Sequence, residues 1–183
     1  MKINLFKNKA SYAGIAILVF TFIFIVYSQD DKKNKQKKSS ADINWLTYEQ
    51  AVKLNAKKKK KIFIDVYTDW CGWCKKMDNT TFKDPIITEY MNKKFYAVKL
   101  NAESKNLTTY KGYSMTDTEL AKRVFKATGY PTTVYLDESE NVLSPVPGYL
   151  DANTLNMILH FYGEDKYKIM TWEEFQKQYT SQK

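Results

Sequence analysis

The chain has 183 residues, 44% of them apolar and 15% aromatic, with a formal net charge of +9. That is enough apolar material to build a core, so disulfide staples are not needed to hold one domain together. Much of the charge lies in two lysine runs, Lys32–Lys38 and Lys57–Lys61, and the only arginine is Arg123; this argues against nucleic-acid readout, which leans on arginine.

At the N-terminus, Lys2, Lys7 and Lys9 precede an uncharged apolar run, Ala13–Tyr27. A basic start before about 7–15 apolar residues has the form of a secretory signal, with cleavage expected after Ser28. Counted from Ala10, the uncharged stretch approaches the ~18 residues of a spanning helix. An uncleaved anchor and membrane tether over residues 10–27 is therefore the rival reading. No cysteine follows the run, which closes the lipoprotein route. The lysines after the run outnumber those before it, and charge bias alone favours the opposite orientation, an anchored domain facing the cytoplasm. A short N-terminal tail usually stays inside, so residues 1–28 are expected to export the rest to an extracytoplasmic location, the periplasm or cell envelope.

Residues 29–43 are polar, lysine-rich and aperiodic, and read as a linker. The folded domain is expected over residues 44–163, with a helical extension over 164–183. Thr47 and Gln50 form a capping box for a helix in which Tyr48, Ala51, Val52 and Ala56 share a face, and the following lysines suit its C-terminal dipole. Ile62–Thr68 is a β-branched and aromatic strand interrupted by Asp65. A helix is expected to start at Cys71 and run on to Phe82, and Asp84 with Pro85 restarts it. Phe95–Ala102 gives the next strand, and Glu103–Thr116 reads as a polar loop. Thr116 and Glu119 form a second capping box, for a helix that Gly129 is expected to end. Two strands flank the turn Asp137–Asn141, an amphipathic helix runs from Asp151 to Gly163, and Thr171 with Glu174 caps a short last helix. The order of strands and helices indicates an α/β sandwich.

Cys71 and Cys74 are the only cysteines of the chain. A structural zinc site or an iron–sulfur cluster needs about four ligands, and the sequence adds only His160, so no metal is expected and His160 reads as a core or helix-end residue. Haem attachment would need histidine where Lys75 stands. A disulfide closing so small a loop stabilises least. What remains is a working redox pair. At a helix N-terminus, free N–H groups and the dipole favour the thiolate of Cys71, the reactive form. Lowering a thiol pKa from about 8.5 to about 7 raises its ionised share at neutral pH from a few per cent to roughly half. Cys74, one turn on, is then the inner, resolving thiol.

These residues give the chain a resemblance to the thioredoxin superfamily. "FIDVYTDWCGWCK" is similar to its strand and active-site segment, although thioredoxins carry Gly-Pro between the cysteines where Gly72-Trp73 stands here. Closer still, "YTDWCGWCKKMDNTTFKDPIITEYM" resembles exported thioredoxin-related proteins and the C-terminal domain of DsbD-type thiol:disulfide interchange proteins. The resemblance implies a central mixed sheet flanked by helices, behind the N-terminal apolar helix. It implies catalytic roles for Cys71 and Cys74, with Asp65 as a buried acid paired to Lys99. Around them, it implies substrate contacts at Trp70, Gly72, Trp73, Tyr130, Pro131 and Gly148, with a cis Tyr130–Pro131 bond. It implies disulfide-containing proteins and an upstream thiol donor as partners, no cofactor, a monomer, and reduction as the direction. A non-catalytic peptide-binding module on the same fold is the alternative.

Overall fold

A computed structural model describes residues 42–181. The expected signal or anchor and nearly all of the linker lie outside the described residues. Among the described residues no helix is long and apolar enough to cross a membrane.

The chain enters through a two-residue strand, β1 (Trp45–Leu46), and helix α1 (Tyr48–Lys57). The Thr47 side chain accepts from the Gln50 N–H while Gln50 reaches back, the capping box read in the sequence. Strand β2 (Lys61–Tyr67) follows, then α2 (Gly72–Asn79) and α3 (Pro85–Lys94), with Asp84 accepting from the N–H groups of Ile86 and Ile87. Strand β3 (Phe95–Asn101) leads to a hairpin, β4 (Leu107–Tyr110) and β5 (Tyr113–Thr116). A helical turn, α4 (Asp117–Glu119), continues as a π-helix over Leu120–Val124. Strands β6 (Thr132–Leu136) and β7 (Val142–Pro147), then α5 (Ala152–Gly163) and α6 (Trp172–Ser181), complete the domain.

The main sheet has five strands in the order β1-β3-β2-β6-β7. β1, β3 and β2 run parallel, while β6 and β7 are antiparallel, so the sheet is mixed. Because side chains alternate along a strand, β2 sends Ile62, Ile64 and Val66 into one core and Phe63 into the other. The first core is closed by Tyr48 and Ala51 of α1 and by Leu120, Ala121 and Phe125. The second is closed by Met77 of α2, Ile87 and Met91 of α3, and Leu155 and Leu159 of α5. Asp65, two residues after Phe63, is carried on this second side, where the helix behind the cysteines packs.

Three readings are corrected. The stretch Glu103–Thr116 contains a hairpin: Tyr110 pairs with Tyr113 across Lys111 and Gly112, both at positive φ (48° and 86°), the turn whose twist matches a two-residue hairpin. The helix capped at Thr116 ends at Val124 rather than near Gly129, because Lys126 turns into the left-handed region at φ 55° and Ala127 N–H returns to Ala121 O. Lys61, read with the lysines that suit the C-terminal dipole of α1, instead opens β2, where it is 4% exposed and bound to Glu138 and Asp165 at 2.7 and 2.9 Å. An alanine at Gly112 keeps its positive φ at a cost, and Gly112→Ala is expected to lower stability by about 1 kcal/mol, read by denaturant unfolding.

Candidate active site

The cysteine segment follows the C-terminal end of the central strand β2, which fixes where α2 begins. Cys71 is the N-cap of α2, and its Sγ accepts the backbone N–H of Cys74 at 3.1 Å. The two cysteines form a disulfide with Cα atoms 5.3 Å apart. Cys74 is 2% exposed, as an inner thiol requires, but Cys71 is only 4% exposed. In the disulfide, therefore, the outer sulfur is less open than the sequence suggests, since it is tied to its buried neighbour. Gly72 beside it leaves open space: a Cβ there would meet nothing within 4 Å.

Register explains the charged pair. Asp65 and Lys99 are direct partners on the parallel strands β2 and β3, and Lys99 Nζ donates to Asp65 Oδ2 at 2.6 Å. Asp65 is 1% exposed and its Oδ1 has no hydrogen-bond partner among the described residues. Burial is the dominant influence and pushes its carboxyl up to about 6, against the pull of Lys99. Burial works against the Lys99 ammonium too, but the carboxylates of Asp65 and Asp78 outweigh it and hold its pKa above the usual lysine value. Asp78, on α2, makes a short ion pair with Lys99. Sequence reading missed Asp78; its only signal was a position one helical turn beyond Cys74. The rings of Trp45, Tyr67 and Phe82 lie 5.0, 5.0 and 5.3 Å from Lys99 Nζ, so the ammonium sits in an aromatic box.

Two aromatic walls flank the disulfide. Trp70, 66% exposed, donates from its indole N–H to Glu103 at 3.0 Å and meets Tyr130 edge-on at 6.1 Å. Trp73, 56% exposed, leans on Tyr149 at 5.3 Å. The Tyr130–Pro131 bond is cis, and Pro131 O accepts the N–H of Gly148 at 2.8 Å, which joins the two loops beneath the walls. The structure thus gathers Cys71, Cys74, Trp70, Gly72 and Trp73 at the start of α2, with Tyr130, Pro131 and Gly148 on adjoining loops. Asp65 and Lys99 lie within the sheet. Glu103 and Tyr149 were missed, because only the folded chain brings them beside the tryptophans. Gly148 holds φ 95°, so Gly148→Ala strains this loop; about 1–2 kcal/mol of stability loss is expected in thermal unfolding. His160 lies elsewhere on α5, stacked on Tyr90 at 4.0 Å. Among the described residues, no cluster of His, Cys, Asp and Glu is arranged to hold a metal ion.

Comparison with known proteins places this geometry. The family described as thioredoxin-like domain matches residues 48–163. The chain is similar to the thiol:disulfide interchange protein DsbD of Actinobacillus pleuropneumoniae, 29% identical over 151 residues. That match covers 78% of this chain and 24% of the relative, so the chain spans about a quarter of the relative's length. Among solved structures, a thioredoxin-fold protein from Helicobacter pylori superposes with a TM-score of 0.59 at 18% identity, covering 77% of this chain and 87% of that one. A thioredoxin from Thermus thermophilus gives 0.53 at 19% identity over 65% and 85% of the two chains. At such identities these two likenesses speak for the fold.

Proposed function

The chain belongs to the thioredoxin-like family, and from that premise we propose that it is a thiol:disulfide oxidoreductase that reduces disulfides of exported proteins. The observation that carries this reading is the 3.1 Å bond from the Cys74 N–H to Cys71 Sγ at the start of α2. A donor already aimed at the sulfur binds a thiolate more strongly than a thiol, and the helix dipole adds to it. Once the pair is reduced, the Cys71 thiolate attacks one sulfur of a partner disulfide. The Cys71–partner bond forms, the partner's S–S bond breaks, and one partner thiolate leaves. Cys74 then gives its proton to Asp65 and attacks Cys71 Sγ. The Cys71–Cys74 disulfide forms, the second partner thiolate is released, and two electrons have passed to the partner. An upstream dithiol returns the enzyme to its reduced form.

In this reading Asp65 is the proton acceptor, and Lys99 holds it in place. Trp70, Gly72, Trp73, Tyr130, Pro131 and Gly148 receive the partner's backbone around its half-cystine. Residues 1–28 export or anchor the chain, residues 29–43 tether it, and residues 44–163 act as a monomer outside the cytoplasm, followed by the extension over 164–183. The likeness to the thiol:disulfide interchange protein DsbD supports the chemistry, and the basic start and apolar run of residues 1–28 support the location.

The test is reduction of a disulfide-linked protein by dithiothreitol, with and without the reduced enzyme. Acceleration in proportion to enzyme concentration is expected. No acceleration at any concentration would leave the peptide-binding alternative standing. In intact cells, an impermeant alkylating reagent is expected to reach a cysteine introduced at an exposed position of the domain; protection until lysis would place the domain inside.

A further inference from the structure

We propose that Trp73, Lys76 and Tyr149 form a charged aromatic wall that selects partner disulfides flanked by an acidic residue. The inference rests on the oxidoreductase reading above and names the class of partner that the same site prefers. Trp73 and Lys76 are three residues apart on α2 and so share a face of the helix. Tyr149 comes from the loop after β7, directly after Gly148. The Lys76 ammonium lies 4.7 Å from the Trp73 ring centroid and 5.0 Å from that of Tyr149. Two rings therefore hold a positive charge at the side of the disulfide.

Among the described residues that charge makes no ion pair; the nearby Asp151 is engaged as the N-cap of α5. Lys61, Lys83, Lys99 and Lys168 each pair with a carboxylate, but among the described residues none pairs with Lys76, which is exposed. The other wall is the reverse: its acid, Glu103, already accepts from the Trp70 indole. A partner segment passing beside Trp73 and Tyr149 meets a cation with no ion pair among the described residues. The two rings lie within 5.0 Å of an exposed ammonium, whose N–H donors remain available to a partner. A carboxylate next to the partner's half-cystine completes them, while the aliphatic part of that side chain rests on the exposed Trp73 ring. Open space above Gly72 and Gly148 leaves room for the partner's backbone.

The experiment uses two disulfide-bonded peptides that differ only in carrying glutamate or lysine beside one half-cystine, with dithiothreitol as the reductant. Wild type is expected to favour the glutamate peptide about fivefold in kcat/KM, the scale of one exposed ion pair. Lys76→Glu is expected to invert that order. Lys75→Glu makes the same change of net charge away from the two rings and is expected to keep the preference for glutamate. Equal kcat/KM for the two peptides, or identical behaviour of the two variants, would overturn the inference while leaving the oxidoreductase reading intact. Failure to reduce either peptide would overturn both.

Discussion

Replacing Cys71 with serine is expected to abolish disulfide reduction, with at least a ~10³-fold loss of rate, whereas Cys74→Ser is expected to accumulate a covalent complex with the partner. The difference follows from where each sulfur sits. Cys71 caps α2 and receives the Cys74 N–H, so it alone is placed for ionisation at the helix start. A serine hydroxyl in its place stays protonated near neutral pH and cannot attack sulfur. Cys74 is buried one turn further on, with 2% of its surface exposed, and is placed to attack only the Cys71 sulfur once that sulfur is bound to the partner. Without it the mixed disulfide forms but is not resolved. Non-reducing electrophoresis of Cys74→Ser from cells would show the complexes and identify the partners. Equal turnover by wild type and Cys71→Ser would remove the catalytic reading.

Asp65→Asn is expected to slow turnover and stabilise the fold at once. As proton acceptor for Cys74, Asp65 carries a general-base contribution on the order of 10²-fold. The wild-type rate is expected to rise with pH through an inflection near 6, where burial has moved this carboxyl, and the variant is expected to lose that inflection. The stability effect has a definite sign. The folded state holds the Asp65 proton up to about 6, while an unfolded aspartate releases it near ~3.9. The folded state therefore binds more protons within that window, and stability falls as pH rises through it. Above the window the full cost of the buried charge is present. Asparagine removes this cost, and the oxidised variant is expected to exceed wild type by about 1–3 kcal/mol at pH 7–8 and by much less at pH 4. Denaturant unfolding at the two pH values measures both. An unchanged pH profile of activity would show that Asp65 does not take the proton.

Local signals were the ones that could be read without a structure. The caps at Thr47, Asp84, Thr116 and Thr171 depend on side chains within about three residues of the backbone groups they bind, and all four form. The central strands were legible because burial on both faces leaves a continuous apolar run. Residues that meet through the fold were harder. The pairing of Asp65 with Lys99 depends on parallel register across 34 positions of chain, and only family resemblance proposed it. Asp78 joins the pair through helix packing, and Tyr149 and Glu103 reach the tryptophans from distant loops. None of these leaves a periodic trace. The β4–β5 hairpin was legible in principle: Lys111-Gly112 between alternating residues is a turn signal, but the polar composition of the stretch concealed it. The early end of the helix after Thr116 was not legible, since its π-helical winding is set by packing of Leu120, Ala121 and Phe125 into the core.

The most direct measurement is the rate of alkylation of Cys71 in reduced Cys74→Ser protein as a function of pH, beside the same protein unfolded in denaturant. If the start of α2 stabilises the sulfur anion, the folded protein reacts with a midpoint well below the ~8.5 of a free thiol, and unfolding restores that value. Coincident midpoints in the folded and unfolded protein, or a folded protein that alkylates only when it unfolds, would contradict the account.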